Sequence, residues 1–167
     1  PSFPNIGSQP GMAPLRPANC GFDVGAATGV GSGWSEHFRE RFAGQPVKSV
    51  VGSFVDADGA RQSRPGEFVV SATGVEGSLI YALSAPMRDA IAATGSATLL
   101  LDLAPGKSAA RLATEIGHPR GARSMGSHLQ SRAGIAGVKA GLLRECAAQD
   151  DYDDPQRLAA VEAWVDP

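Results

Sequence analysis

The chain of 167 residues is long enough for one compact domain or two small subdomains, and 43% of its residues are hydrophobic, as is ordinary for a globular protein. Its 15 basic and 17 acidic side chains nearly cancel, which argues against a protein that coats nucleic acid or an anionic membrane. Two distant cysteines without a Cys/His cluster give zinc no ligand set, and no apolar run approaches the roughly 20 residues that span a bilayer. The sequence therefore predicts no metal site and no nucleic-acid or membrane partner, and without a visible signal peptide the cytoplasm is the default expectation.

The two ends of the chain carry little pattern of their own. Residues 1–12 combine Pro, Gly, Ser and Asn with few apolar side chains, which predicts a linker or a disordered arm. The chain starts at Pro1 and stops just after a helix-like segment. We therefore expect a piece of a longer polypeptide, although removal of an initiator methionine would also leave Pro1.

The stretch VGAATGVGSGWSEHF, residues 24–38, places a glycine-rich loop before a helical pattern, as phosphate-binding loops do. Gly29, Gly31 and Gly33 give G-x-G-x-G, but residue 34 is tryptophan, where the dinucleotide fingerprint G-x-G-x-x-G requires its third glycine. The P-loop lysine is also absent, and no hydrophobic strand leads into the loop. These features favour a flexible surface loop over a phosphate site.

A helix and two strands are predicted next. Trp34, Phe38 and Phe42 recur at helical spacing, which predicts a helix over residues 34–43 with Ser35 as its N-cap. β-Branched and aromatic residues then predict strands over 47–55 and 67–71, with Asp58 and Gly59 as a hairpin turn.

Apolar spacing over residues 76–93 predicts another helix, which Pro86 should kink or split. An apolar run of strand length follows within residues 96–106. Further helices are predicted over residues 107–116, 123–132, 135–148 and about 155–164, the last with Asp153 or Asp154 as its cap. This order of elements indicates an α+β fold with a helical end.

Polar clusters give two weak signals of chemistry. Arg120, Arg123 and Arg132 lie in PRGARSMGSHLQSR and could clamp an anion, but a solvated helix start is the favoured interpretation. The three histidines have no metal-ligand spacing, and no G-x-S-x-G elbow nominates a nucleophilic serine. Glu76, between Gly74 and Gly77, either lines a site at a helix start or simply suits the helix dipole, and both interpretations stay open.

Long runs of the sequence, taken together, resemble one family. The runs are APLRPANCGFDV, GWSEHFRERFAGQPVKSV, GEFVVSATGVEGSLIYALSAPMRD, ATLLLDLAPGKS, PRGARSMGSHLQSRAGIAGVKAGLLRE and DPQRLAA. They cover about residues 13–160 and resemble the central insert of BaiN-like (aminoacetone-oxidase-like) NAD(P)/FAD-dependent flavoproteins. The family's Gly-Glu pair, followed by Ser or Thr and two glycines, matches Gly66, Glu67, Ser71, Gly74 and Gly77 here.

The resemblance implies a fold and a domain organisation. The family's insert interrupts an FAD domain and comprises a six-stranded β-barrel followed by a small helical bundle. Here this implies a small antiparallel β-barrel subdomain over residues 13–104, with one or two helices, and a helical subdomain over 105–167. The two could be parts of one insert domain. The family sequence runs GFDVGWSEHF without a break, so Ala26–Gly33, or an equivalent cut of eight residues, looks like an insertion.

The implied function is that of a substrate-side cap in an FAD-dependent, NAD(P)H-linked oxidoreductase that acts on a small organic substrate. The FAD fingerprint is missing from the 167 residues, so FAD is expected only in the intact enzyme, on the FAD-binding domain of the same polypeptide. This chain alone is expected to bind no FAD and to be inactive. The alternatives are a stand-alone, non-redox module that binds a ligand or a protein, and a non-functional remnant.

No catalytic residue can be nominated from the sequence. Candidates for the substrate pocket rest on loop position and small side chains, and they are Arg16, Asn19, Thr73, Gly74, Glu76 and Gly77.

Overall fold

The computed structural model describes residues 20–25, 33–56, 58–147 and 149–160. The predicted arm over residues 1–12 lies outside this part of the chain. In chain order the elements are β1 (Phe22–Asp23), α1 (Glu36–Phe42), β2 (Pro46–Val55), β3 (Arg61–Val70), β4 (Gly74–Glu76), α2 (Ser78–Thr94), β5 (Leu100–Asp102), α3 (Ala109–Ile116), α4 (Met125–Ala133), α5 (Val138–Cys146), α6 (Gln149–Tyr152) and α7 (Pro155–Ala160). The α+β class is confirmed, with a sheet followed by a group of helices.

All strand pairs are antiparallel, and the strand order is β1-β4-β3-β2-β5. Within the described residues the sheet has five strands and is not closed, whereas the resemblance implies a barrel of six. The two edge strands, β1 and β5, span only two and three residues. Such short edge strands have few free main-chain N–H and C=O groups, so they can form few of the hydrogen bonds that would close the sheet into a barrel.

The long hairpin of β2 and β3 is the centre of the sheet. The prediction for β3 began at residue 67, but the strand starts at Arg61. Its first half is polar and largely exposed, so it carries no apolar alternation, and its pairing with β2 holds it in place. At the turn, the Asp56 carboxylate accepts hydrogen bonds from the main-chain N–H groups of Asp58 and Ala60, and Gly59 adopts a φ of 80°.

The predicted aromatic row enters the core, although α1 starts at Glu36 and Trp34 precedes its N-cap. Trp34, Phe38 and Phe42 are all buried, and consecutive ring centroids lie 4.8 and 5.0 Å apart. The Ser35 hydroxyl caps the helix by accepting from the N–H of Phe38 at 3.2 Å. Tilted rings at these separations pack favourably beyond the area they bury.

Helix α2 packs across β3 and continues through Pro86, so a split there is wrong. Proline removes the hydrogen bond to the carbonyl of Ala82, and Ala82 is an exposed residue, so the loss falls on the solvent side of the helix. The buried face on both sides of the proline holds the helix together and comprises Leu79, Ile80, Leu83, Ser84 and Met87.

Strand β5 is shorter than the apolar run that predicts it. The Asp102 carboxylate accepts from the N–H of Ala104 at 2.9 Å and turns the chain out of the sheet. The segment that follows joins the helices, since Lys107 Nζ donates to the carbonyls of Arg132 and Ala133 at 3.3 and 2.7 Å.

The helices after β5 form close to their predicted positions. Ser108, Ser124 and Asp154 are the N-caps of α3, α4 and α7, each accepting from a main-chain N–H in the first turn. Helix α5 starts later than predicted because Gly134 and Gly137 adopt φ values of 74° and 58°, which interrupt the helical path. Among the described residues, no helix combines the length and apolarity needed to cross a membrane.

Candidate functional site

The pocket candidates from the sequence fall into two groups. Arg16 and Asn19 lie outside the described residues. Thr73, Gly74, Glu76 and Gly77 lie together between the end of β3 and the start of α2. These candidates rest on a predicted loop position, whereas Gly74–Glu76 form β4, which pairs with both β1 and β3.

The two glycines of this group have packing roles. A Cβ on Gly74 would collide with the main chain at Phe22 and Asp23, so only glycine allows β1 to approach β4. Gly77 adopts a φ of 109° at the N-terminus of α2, and a Cβ there would lie 3.3 Å from Cα of Phe68. These contacts account for both glycines without a ligand.

The polar members of the group have different surroundings. The Thr73 hydroxyl donates to the carboxylate of Asp23 on β1. The Glu76 side chain is exposed at the end of β4. The group also connects to α1, because Trp34 Nε1 donates to the carbonyl of Gly74 at 3.2 Å in a buried contact.

A cleft of about 830 Å³ opens between α1 on the sheet side and helices α4, α5 and α6 on the other. This volume lies in the range of small-molecule sites. The ionisable side chains that line the cleft are His37, Arg41, Arg120, Arg144, Glu145, Tyr152 and Asp153. None of the pocket candidates from the sequence that the structure describes lines it.

The charges in the cleft do not cancel by ion pairing. Among the described residues, Arg41, Arg120 and Arg144 form no ion pair within 4.0 Å of a carboxylate. Glu145 is engaged at α1, where its carboxylate accepts from the Ser35 N–H and, at 2.8 Å, from the Ser35 hydroxyl. Arg120 Nη1 donates to the carbonyl of Arg123 at 3.0 Å. The carboxylates of Glu145 and Asp153 keep their charge, so the three guanidinium groups leave only a small positive excess in the lining.

Two partly buried ionisable groups, Tyr152 and Lys139, lie at the cleft and at the contact between α5 and the sheet beside it. Burial raises the pKa of the Tyr152 phenol above its ordinary value, with the charge of Arg144 opposing, so the phenol stays neutral at physiological pH. Burial lowers the pKa of Lys139, with Asp102 opposing. Lys139 Nζ donates to the carbonyls of Ser49 and Leu103 at 2.9 and 2.7 Å.

Lys139 and Glu145 together join the helices to the sheet side of the molecule. Lys139 reaches the irregularity in β2 at Ser49, whose φ is 53°, and the residue after β5. Glu145 reaches the N-cap of α1. Both residues belong to α5, so this one helix carries both connections.

The arginines singled out in the sequence do not converge. Arg120 lines the cleft, whereas Arg123 Nη1 donates to the Ser131 hydroxyl at 3.1 Å and Arg132 lies 3.5 Å from the Glu115 carboxylate. Sequence reasoning missed Arg41 and Arg144 because they come from helices about 100 residues apart, and neither stands in a motif.

The histidines are also dispersed. His37 lines the cleft, His118 is exposed, and His128 is fully buried. His128 Nε2 lies 2.8 Å from the carbonyl of Ile116, so it carries the proton, while Nδ1 has no partner among the described residues. In that part of the chain no group of three or more metal-ligating side chains occurs.

Comparison with known proteins identifies the family. Comparisons with curated proteins and with solved structures gave no match. Residues 16–164 match the family model of the HI0933-like protein barrel and H2TH domain. The match spans both the sheet and the helices that follow it. The chain therefore belongs to the HI0933-like flavoprotein family, as its barrel and H2TH domain.

Proposed function

We propose that this chain is the substrate-side cap of an FAD-dependent, NAD(P)H-linked oxidoreductase that acts on a small organic substrate, with BaiN-like specificity. The observation that carries the proposal is the family match over residues 16–164, which takes in the sheet and the helices as one unit. Division into subdomains at residues 104 and 105 is part of the proposal, because every described strand precedes this point and helices α3 to α7 follow it.

The geometry suits a cap better than a cofactor domain. FAD domains hold the pyrophosphate at a glycine-rich turn between a parallel strand and a helix. The described sheet is wholly antiparallel, so these residues do not fit that cradle. We propose that FAD sits on another domain of the same polypeptide, where it supplies the electron transfer.

The contribution of this chain would be enclosure and orientation. The connections of Lys139 and Glu145 fix the helices on the sheet, so the whole unit can cover a neighbouring domain without deforming. Covering a reduced flavin excludes water and oxygen from the reacting centre. Arg16, Asn19, Thr73 and Glu76 remain proposed contacts to the substrate, and Gly74 and Gly77 shape the chain beside them.

Oxygen reactivity of the intact flavoprotein tests the cap directly and needs no knowledge of the substrate. The flavin would be reduced by NADH or NADPH without oxygen, and its reoxidation followed after mixing with aerated buffer. Replacing residues 20–160 by a short Gly/Ser linker should preserve flavin binding and accelerate reoxidation. Equal reoxidation rates in the two proteins would contradict a cap.

Two controls keep this test specific. Deleting Ala26–Gly33 in the intact protein should leave reoxidation unchanged, because it removes chain without removing the sheet or the helices. The 167-residue chain titrated with FAD should not quench flavin fluorescence. Stoichiometric binding of FAD by this chain would mean that it is a cofactor domain instead.

A further inference from the structure

We propose that His128 makes the contact between α3 and α4 sensitive to acid, so that the contact is closed while the imidazole is neutral and opens when the imidazole takes up a second proton. The inference concerns the fold of this chain alone, so it does not depend on the proposed redox function. It rests on the complete burial of the His128 side chain and on the different surroundings of its two ring nitrogens.

The neutral imidazole is part of the packing between the two helices. His128 lies within α4, and its side chain is fully buried, as is that of Leu129. Nε2 donates to the carbonyl of Ile116 across 2.8 Å, and Ile116 is the last residue of α3. The last carbonyls of a helix have no partner within it, so this hydrogen bond satisfies a group that would otherwise be buried without one.

The other ring nitrogen, Nδ1, is buried and has no hydrogen-bond partner among the described residues. In the charged imidazole both nitrogens carry a proton, so Nδ1 would become a charged donor without an acceptor, which is costly away from water. The C-terminal end of α3 favours a positive charge nearby, but this helix-dipole effect is smaller than the cost of burying the charge. A second proton therefore favours a conformation in which the ring reaches water.

In the described part of the chain, the charges on the neighbouring elements offer no free counter-charge to Nδ1. Glu115 is the only acidic residue between positions 107 and 144, and its carboxylate lies 3.5 Å from the Arg132 guanidinium. Helix α7 packs against α3, and the Asp154 carboxylate at its start accepts from two main-chain N–H groups. The other charged or titratable groups on α3, on α7, in the connection between α3 and α4 and at the end of α4 are basic residues or histidine, namely Lys107, Arg111, His118, Arg120, Arg123 and Arg157. Their charge opposes a further proton on the buried ring.

Opening of this contact would reach the cleft, because α4 forms part of its wall. Met125, Gly126, Ser127 and Gln130 line the cleft from α4, whereas His128 meets the end of α3. The central hairpin of β2 and β3 is held by its own main-chain pairing. Acid should therefore loosen α3 and α4 first and leave this hairpin intact.

Hydrogen exchange of the 167-residue chain at about pH 7.5 and about pH 5.5 tests the proposal, with mass-spectrometric detection and correction for the intrinsic exchange rate at each pH. An exposed imidazole takes up a proton near about pH 6.5, whereas carboxylates stay ionised at the acidic pH of the test. Protection of the α3 and α4 amides should therefore fall about fivefold on going to the acidic pH, with little change in β2 and β3. Unchanged protection of α3 and α4, or an equal fall along the whole chain, would overturn the proposal.

Two histidine variants assign the effect to one ring. His128→Gln keeps an N–H donor for the Ile116 carbonyl but takes up no proton near neutrality, so protection of α3 and α4 should change by less than about twofold between the two pH values. His118→Gln is the matched control, since His118 is an exposed histidine two residues after α3, and it should keep the fall seen in the wild type. Thermal melts at neutral pH would confirm that both variants fold. A fall like that of the wild type in His128→Gln, or its disappearance in His118→Gln, would contradict the assignment. The wild-type measurement and the His118→Gln control remain decisive if His128→Gln does not fold.

Discussion

Gly141 of α5 lies directly against the ring of Phe42 of α1, so closely that a Cβ on residue 141 would overlap the ring. This contact brings the helical part of the molecule against the aromatic row of the core. The absence of a side chain at Gly141 sets how near the two helices approach, and with it the position of one wall of the cleft.

Gly141→Ala should therefore lower the stability of the protein. Alanine favours a helix over glycine by about 0.5–1 kcal/mol, but displacement of the buried Phe42 ring should outweigh this and leave a net loss of about 1–2 kcal/mol in the free energy of unfolding. Urea unfolding measures the loss. Gly126→Ala is the control, because a Cβ there meets nothing within 4 Å and the helix gain should stand alone. Equal stability of the two variants would mean that the ring moves freely.

Gly74→Ala should be more damaging than Gly141→Ala. The added Cβ would collide with the main chain of β1, which cannot rotate away as a side chain can. We expect a loss of about 2–4 kcal/mol in the free energy of unfolding, together with weaker protection of the β1 and β4 amides in hydrogen exchange. Gly25→Ala, where a Cβ also meets nothing within 4 Å, should stay close to wild type. A near-neutral Gly74→Ala would show that β1 adds little to the sheet.

The pH dependence of stability should report the burial of Lys139. Because burial lowers its pKa below the ordinary 10.5, the unfolded chain binds more protons than the folded chain between the two values. The contribution of Lys139 is therefore constant below its folded pKa and rises with pH up to 10.5. Relative to Lys139→Met, the wild type should gain stability over this alkaline interval, measured by urea unfolding at a series of pH values. A parallel pH profile for the two proteins would contradict the burial of this amine.

Deletion of Ala26–Gly33 should leave the melting temperature about unchanged. The carbonyl oxygen of Val24 lies 2.6 Å from the N–H of Gly33, so the two ends of the segment already meet. Because residues 25 and 33 are both glycine, deleting residues 26–33 gives the same sequence as deleting residues 25–32. In that sequence Gly33 follows Val24 directly. Only a small movement is needed to join them. A fall of many degrees would show that the segment is structural after all.

Sequence reasoning succeeds here wherever local chemistry decides the structure. The aromatic spacing of α1 and the capping oxygens of Ser35 and Asp154 depend on neighbours only a few residues away. The polar half of β3 carries no such signal, since pairing with β2 alone makes it a strand. β4 was missed for the same reason, being held between two partners.

The cleft could not be predicted because its arginines are brought together only by tertiary packing. Arg120 lies in a basic segment that the sequence does indicate, but Arg123 and Arg132 of the same segment make contacts outside the cleft. Arg132 pairs with Glu115, and Arg123, which precedes α4, donates to the hydroxyl of Ser131 on that helix. The other two arginines of the cleft, Arg41 and Arg144, belong to α1 and α5. These two helices meet at the contact between Phe42 and Gly141.

The two connections made by α5 also have a mechanical consequence. Lys139 and Glu145 are six residues apart, so their anchor points are separated by about 9 Å along the helix axis at 1.5 Å per residue. A single anchor would let the helix pivot, but two anchors at this spacing oppose rotation as well as translation. An outward rotation of α5 must break the hydrogen bonds of Lys139 or those of Glu145. The two connections therefore set the distance between α5 and α1, and with it the width of the cleft.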